Sequence, residues 1–314
     1  MKKSFVLLIS TLIISCSVTK ENSIKKKNLE MAQSFLDNII TDPQKAKSLL
    51  HEDFTFAWMG IIEQGGKIWD RENLFDVYFK DIILSETDIT KLNNLFLELH
   101  QNKPIQHIIG ETYFYDSKFL TPHGVFIPRP ETELLVDCAI EFLSNKKERL
   151  QIIDFCTGSG CILLSIAKQF PNHEYIGIDQ SEIAIETAKK NRDLLGLKNC
   201  TFFNEDIFKY KKSKADLLLC NPPYLAYNEI DSLDSSVKNN DPLTALTDFK
   251  DGTSFYKYLI QHFNQLVRKN GIMLLEIPYS SITNDIISIN KNFNSNKSIF
   301  CKDLEGKNRV IKIY

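Results

Sequence analysis

The sequence predicts an α/β protein: an open, doubly wound sheet with helices on both faces, preceded by a smaller α-rich unit. Three observations predict it. From Leu150 onward, apolar runs of strand length alternate with segments of helical period, the pattern of repeated β-α units. Between the first such strand and its helix lies Cys156-Thr157-Gly158-Ser159-Gly160, where glycines permit a tight turn and close approach of a ligand to the backbone. Further on, the apolar run Asp216 to Cys220 is cut off by Asn221-Pro222-Pro223-Tyr224. Two prolines cannot continue a strand, and the first of them holds Asn221 extended. A polar amide is thereby left at the C-terminal end of a strand, where open α/β sheets bind their ligands.

The chain has 314 residues, room for about two domains. It is 43% hydrophobic and 25% charged, an ordinary globular composition with a net charge of −2. No basic field exists to hold a nucleic-acid backbone by charge alone. The seven cysteines, Cys16, Cys138, Cys156, Cys161, Cys200, Cys220 and Cys301, form no C-x-x-C pair, so neither a zinc site nor a disulfide framework is expected.

Residues 1–20 form a signal-like segment. Met1-Lys2-Lys3 precedes the apolar run Phe5 to Ile14, and Ser15-Cys16 follows. Ile13-Ile14-Ser15-Cys16 looks like a bacterial lipoprotein box with Cys16 the lipidated residue. A buried first helix or a wrong start codon accounts for the same residues, and the run is short for a bilayer span.

Residues 21–84 read as an α+β or helical segment. Leu29, Ala32, Phe35, Leu36, Ile39 and Ile40 share a helical face, a second short helix runs through Leu50, Asp53 to Trp58 alternates like a strand, and Arg71 to Ile83 is helical. The stretch resembles the opening of polyketide-cyclase-like cone-fold domains; a small α-rich cap on the next domain is the preferred reading.

Residues 85–125 are expected to form a linker helix and hairpin. Ser85 caps a helix to Gln101 with Leu92, Leu95, Phe96 and Leu99 on its apolar face. Pro104 to Gly110 and Tyr113 to Tyr115 read as short strands. Residues 126–314 form the main domain. Phe126-Ile127-Pro128-Arg129-Pro130-Glu131-Thr132-Glu133 leads into a helix from Leu134 to Leu143, with proline and acids suited to a helix start. Strands are expected at Gln151–Phe155, Glu174–Ile178, Thr201–Phe203, Leu217–Cys220 and Gly271–Ile277. Helices are expected at Cys161–Phe170, Ser181–Leu195 and Ser254–Lys269. Two last strands, near Lys297–Lys302 and Arg309–Tyr314, close the edge. Leu225 to Gly252 has no clear period and is long for a connection; directly after the candidate site, it reads as a substrate lid.

The strand ends carry a donor site. Asp179 lies about twenty residues past the glycine loop, where a carboxylate accepts both hydroxyls of a ribose. Asp206-Ile207, after the next strand, offers a carboxylate to an adenine amino group beside an apolar shelf. The loop lacks the Lys-Ser/Thr ending of a phosphate loop. At Asn221-Pro222-Pro223-Tyr224, the Asn221 side chain and the Pro222 carbonyl are two acceptors able to grip an –NH2 group.

Glycine loop, Asp179, Asp206-Ile207 and Asn-Pro-Pro-Tyr, in that order, resemble the class I methyltransferases, whose Rossmann-like sheet binds S-adenosylmethionine. With Phe126 to Glu133, Pro104 to Gly110, Pro242-Leu243-Thr244-Ala245-Leu246 and Leu274-Leu275-Glu276-Ile277, the sequence from about Leu84 to Tyr314 looks like the HemK-type glutamine N5-methyltransferases of peptide chain release factors. The resemblance implies S-adenosylmethionine as methyl donor, no metal, and the glutamine of the Gly-Gly-Gln motif in class 1 release factors as substrate. It places Cys156, Thr157, Gly158, Ser159, Gly160, Asp179, Asp206, Ile207 and Asn221 against the donor. Asn221, Pro222, Pro223 and Tyr224 would hold the glutamine amide, with Asn221, Pro222 and Tyr224 carrying the reaction. Two departures stand out: Cys156 occupies a position where the family often has glycine, and the residues before Leu84 do not read as the family's helical docking domain.

Two rival readings stay open at this level. The same grip suits an exocyclic amine, as in adenine N6 methylation, although base chemistry needs an extruded base and usually a basic track. A non-catalytic lipoprotein is the other. The donor and release factors are cytosolic, so the catalytic constellation predicts a cytoplasmic enzyme whose first twenty or so residues are dispensable; processing at Cys16 is the alternative, and a monomer is expected.

Overall fold

The computed structural model describes residues 55–57, 68–70, 94–95, 97–99, 101–279, 282–293 and 297–314. The signal-like segment, the helices expected between Leu29 and Ile83 and the Ser85 cap lie outside the described residues. The chain divides into two compact units, Met1–Ile108 and Ile109–Tyr314. In the first, β1 (Thr55–Ala57) pairs antiparallel with β2 (Ile68–Asp70), with Phe56 opposite Trp69.

Ile105–Ile109 is helical, which corrects the strand expected between Pro104 and Gly110. The amides of His107 and Ile108 both donate to the carbonyl of Pro104, at 3.0 and 3.1 Å. Proline presets the φ of a first turn and needs no N–H there. That start signal outweighs the β-branched isoleucines that suggested a strand.

In the second unit, the hairpin β3 (Glu111–Phe114) and β4 (Ser117–Leu120) precedes helix α1 (Glu133–Leu143). The main sheet has seven strands: β5 (Gln151–Phe155), β6 (Glu174–Asp179), β7 (Cys200–Asn204), β8 (Ala215–Cys220), β9 (Val267–Glu276), β10 (Ser298–Lys302) and β11 (Asn308–Ile313). Their order is β10-β11-β9-β8-β5-β6-β7. Five of them, β7 to β9 across the sheet, run parallel; β11 is antiparallel to both β9 and β10. A tight turn forces that reversal. Asp303 Oδ1 accepts from the amides of Glu305 and Lys307, and Gly306 stands at φ +78°, so β10 and β11 can pair only as a hairpin.

Helices cover both faces, as the alternating β-α pattern requires. Along β8, Leu217 and Leu219 face one way and Leu218 and Cys220 the other. The first face packs α1, α2 (Cys161–Gln169) and α3 (Glu182–Leu194) through Leu135, Ala139, Leu163, Ile166 and Ala188. The second packs α4 (Ser254–Gln261) and α5 (Ile282–Phe293) through Tyr256, Leu259, Ile286 and Ile289. All nine of these helix side chains are almost wholly buried, which at about 25 cal/mol per Å² of apolar surface makes the two layers the main stabilising term.

Two element boundaries differ from expectation. The helix expected to reach Lys269 ends at Gln261; a short turn, Phe263–Leu266, follows, and β9 begins at Val267. Val267 pairs with Ala215 and Ile272 with Leu217, so Arg268 to Gly271 are accommodated as an irregularity, with Asn270 at φ +68°. Helix α5 is absent from the sequence reading. Its apolar residues Ile282, Ile286 and Ile289 recur at helical spacing, but they are β-branched and set among Asn and Ser, residues of low helix propensity. Among the described residues no helix is long and apolar enough to cross a membrane.

Strand order fixes where a ligand can sit. From β5 the chain moves outward to β6 and β7, then returns to β8 on the other side of β5. Phe155 at the end of β5 lies opposite Cys220 at the end of β8. The loops leaving these two ends diverge, and the crevice between them is the topological switch point of the sheet.

Candidate active site

The first loop starts at Cys156, which stands at φ +57°. Left-handed backbone is unfavourable for a residue with a β-carbon, which accounts for the glycine common at this position in the resembling family. The turn is held from below. Thr157 Oγ1 donates to Asp154 Oδ2 at 2.6 Å, and the Thr157 amide donates to the Ile178 carbonyl at 3.1 Å. Asp154 is fully buried, and that burial pushes its carboxyl up to about 7. Gly160 then opens α2 at φ +80°, and a β-carbon there would press on Ala188, Leu164 and Phe202 at 3.1–3.3 Å. From the side, the buried Asn191 of α3 donates to the Ser159 carbonyl at 2.9 Å and accepts from the Leu120 amide at 2.8 Å, tying the loop to the β4 strand.

Asp179 ends β6. Its Oδ2 accepts from the Gly158 amide and its Oδ1 from the Ser181 amide, both at 2.9 Å. Burial raises its carboxyl above the usual range despite these bonds. Asp179 lines the cleft, and a carboxylate has lone-pair sites for more donors than its backbone partners take up. Asp206 follows β7 and caps the turn Ile207–Lys209, accepting from the Phe208 amide at 3.0 Å. Ile207 beside it is buried.

Asn221 follows β8. Its Nδ2 donates to Thr132 Oγ1 at 3.3 Å, so the side-chain oxygen is left to the cleft. Thr132 is buried at the end of the turn Pro130–Thr132. Glu276, the last residue of β9, is buried, and burial, above all, pushes its carboxyl up to about 7. Pro222 and Pro223 are buried, and burial raises the Tyr224 hydroxyl above its ordinary range.

The segment after Tyr224 contains a turn at Tyr227–Ser232 and short helices at Ser235–Lys238 and Leu243–Leu246. It folds back on itself: Leu225 bridges Thr247, and the Leu225 amide donates to the Leu246 carbonyl at 2.9 Å. Arg129 reaches Asp241 in this segment at 2.5 Å, and the Asp241 side chain is fully buried.

These loops line a cleft of about 1100 Å³, part of which is open solvent. Cys156, Thr157, Gly158, Ser159, Asp179, Asp206, Ile207, Asn221, Pro222, Pro223 and Tyr224 all line it. Of the residues picked out from the sequence, Gly160 alone does not; it serves the turn. Phe126, Thr132, Pro242, Ala245 and Phe255 also line the cleft and were given no role from sequence. Thr132 lies in a segment that carried the resemblance, yet nothing in that segment says that it meets Asn221. Chemically, the cleft joins a pocket for a hydroxyl-bearing ligand to a pair of carbonyl-type acceptors.

The profile of a family described as "Methyltransferase domain" matches residues 146–311. A release factor glutamine methyltransferase of Thermodesulfovibrio yellowstonii is 38% identical over 218 residues, covering 67% of this chain and 76% of that protein. One of Clostridium botulinum is 34% identical over 255 residues, covering 79% and 88%. Among solved structures, a release factor-specific protein-(glutamine-N5) methyltransferase of Alicyclobacillus acidocaldarius is 24% identical, covering 60% of this chain and 93% of that one, with a TM-score of 0.38.

Proposed function

The chain belongs to the family of release factor glutamine methyltransferases, and from that premise we propose that the cleft at the ends of β5, β6, β7 and β8 is its active site. The enzyme methylates the side-chain amide nitrogen, N5, of the Gly-Gly-Gln glutamine in class 1 release factors. S-adenosylmethionine supplies a methyl group on a sulfonium sulfur; the N–C bond forms as the C–S bond breaks. Family membership sets aside the nucleic-acid and non-catalytic readings.

The residues present fit this donor. Asp179 offers both carboxylate oxygens to a ribose diol, and Ile207 gives the adenine an apolar shelf. Asp206 already spends one lone pair on its own turn, so its other lone pairs serve the adenine amino group. Cys156 to Gly160 bring the backbone close, and the Asp154–Thr157 and Asn191–Ser159 bonds keep that backbone in place.

An amide nitrogen is a poor nucleophile because its lone pair is delocalised. Asn221 Oδ1 and the Pro222 carbonyl accept its two N–H bonds and aim the nitrogen at the methyl group, and Pro223 and Tyr224 close the pocket over it. The rate then comes from orientation and from acceptors that stabilise the positive charge developing on nitrogen. After transfer the nitrogen sheds one proton to water, and the donor leaves as the neutral thioether. The observation that carries this reading is the Asn221–Thr132 bond, because it turns the amide nitrogen of Asn221 away and leaves its oxygen to the substrate.

Mass spectrometry of release factors from cells with and without this gene tests the reaction: without it the Gly-Gly-Gln peptide should be lighter by one CH2, the net change when methyl replaces hydrogen. Donor-derived label found in RNA or DNA instead would refute it. The working enzyme is a cytoplasmic monomer in this reading. Fractionation with a C-terminal tag should find it soluble; lipid-modified protein beginning at Cys16 would contradict that.

A further inference from the structure

We propose that the exposed ring pair Tyr227–Phe249 is a docking ledge for the release factor: the bare Gly-Gly backbone of its Gly-Gly-Gln segment lies across these two rings while the glutamine side chain enters the cleft. The inference rests on the reading of that cleft as the glutamine site.

The rings stand on the wall of the cleft. Tyr224, Leu225 and Leu246 line it. The Leu225 amide donates to the Leu246 carbonyl at 2.9 Å and the Tyr227 amide to the Lys250 carbonyl at 2.8 Å, so the two stretches form one ribbon. Tyr227 follows Leu225 by two residues, a span of at most about 7 Å. Tyr227 is 55% and Phe249 51% exposed, and their ring centroids lie 6.0 Å apart at 38°. A single exposed aromatic needs no explanation. Two in contact beside a substrate cleft make an apolar patch of the kind that marks an interaction site.

The fold holds Phe249 outward at a cost. It stands at φ +60°, unfavourable for a bulky side chain, where glycine or asparagine would sit with less strain. The surrounding turn imposes that conformation. Asp248 Oδ1 accepts from the Lys250 and Gly252 amides at 2.8 and 2.9 Å, and its Oδ2 from the Ser254 amide at 2.9 Å. The Phe249 amide donates to Oγ1 of the buried Thr247 at 3.1 Å. These bonds brace the turn from within, and the ring takes no part in them. What the ring adds is an outward surface on a fixed backbone, which loses little freedom when a partner covers it.

The chemistry of the substrate suits this ledge. One short side chain of the release factor enters the cleft. With its amide at Asn221, the main chain stops at the mouth and rests on the rim. The two residues before the glutamine are glycines. Having no β-carbon, they expose flat peptide groups that aromatic rings can approach closely. A β-carbon at either position would hold the peptide off the rings. The ledge therefore selects the two residues before the glutamine, and the Asn221 grip selects the glutamine. A second copy of this chain fits less well. Two half-exposed rings offer roughly 200 Å², whereas a stable dimer buries about 800 Å² on each side. A protein already anchored by its glutamine needs only a small addition.

The experiment is steady-state methylation of a purified class 1 release factor by the full chain, for wild type, Tyr227→Ala, Phe249→Asn and the double variant. Asparagine tolerates left-handed backbone, so Phe249→Asn removes the ring and leaves the turn in place. Each single variant should raise the KM for the release factor about tenfold, the loss of one interface anchor. Turnover at saturating release factor and the KM for S-adenosylmethionine should hold. Tyr227→Phe, which keeps the ring, should restore the KM. A second arm uses release factors with Gly→Ala at one or the other glycine. Wild type should show a KM for them raised by about tenfold, and the double variant should treat them like the unaltered substrate, because the surface that rejected the extra methyl group is gone. An unchanged KM in Tyr227→Ala and Phe249→Asn overturns the proposal. So does a Gly→Ala penalty as large in the double variant as in wild type. Should one ring variant fail to fold, the other decides alone. Asn221→Ala is run alongside. Full activity there sinks the cleft reading, whereas an inactive Asn221→Ala beside unaffected ring variants sinks only the ledge.

Discussion

Gly252 packs its bare α-carbon against the backbone carbonyl of Tyr224; a β-carbon there would overlap the carbonyl oxygen. Gly252 also stands at φ +78°, where side chains are strained. The end of the segment read as a lid and the proposed substrate grip are therefore in direct backbone contact. Gly252→Ala should cost about 1–3 kcal/mol of stability, combining left-handed strain with overpacking. The Asn-Pro-Pro-Tyr backbone must shift, so kcat should fall more than the affinity for S-adenosylmethionine. Denaturant unfolding and single-turnover methylation on the same preparation measure the two effects.

The Arg129–Asp241 pair makes a second connection, between the segment before α1 and the lid. Arg129→Ala deprives a buried carboxylate of this partner, and the expected loss is on the order of 3 kcal/mol. Because the strain falls on the lid, the KM for the release factor should rise while binding of S-adenosylmethionine changes little. Arg129→Lys should recover only part, since an ammonium lacks the planar fork of a guanidinium. Equal KM values in all three proteins would show that the lid is held some other way.

Much of this site is legible in the chain. The proline pair after an apolar run places Asn221 at a strand end, and the order of glycine loop, Asp179 and Asp206 follows the order of strands. What the sequence hides are the supports. Asn191 reads as one more polar residue on a helix, yet it is buried and holds the Ser159 carbonyl. Asp154 reads as part of a strand, and Thr132 and Glu276 lie far apart in sequence. Their partners are fixed by the register between β5, β8 and β9, which pairing decides and periodicity does not. The lost strand at Ile105 and the overlooked helix at Ile282 have one cause. Isoleucine suits a pleated surface, and tertiary burial can still place it in a helix.

Asp154 predicts a pH dependence of stability. Its folded carboxyl is raised from 3.8 to about 7, with burial the main cause. A raised carboxyl favours the folded state while protonated, so its contribution is complete below 3.8 and is lost as pH rises through about 7. Asp154→Asn keeps an acceptor for Thr157 and cannot ionise. The variant should therefore gain thermal stability relative to wild type as pH increases across that window. A difference in Tm that is flat with pH would mean that Asp154 is ionised throughout.

Asn221 gives the most discriminating substitutions. Asn221→Ala removes the side-chain acceptor and leaves the glycine loop and Asp179 alone. Methyl transfer should fall by roughly 10²–10³-fold, as when one preorganised hydrogen-bond partner is lost from a transition state, with S-adenosylmethionine still bound, if more weakly. Asn221→Asp tests the orientation. It keeps an oxygen for the substrate amide, so an acceptor alone would preserve the rate. In the fold, however, the side chain stands at Thr132, and Cys220 opposite Leu275 sets position 221 beside the buried acid Glu276. Two acids then stand side by side, like charges disfavour ionising both, and the side chain must turn away or take up a proton. Both substitutions should be inactive near neutral pH, measured by transfer of labelled methyl to a release factor. A fast Asn221→Asp enzyme would mean that the Asn221 amide needs only its oxygen, and that Thr132 does not orient it.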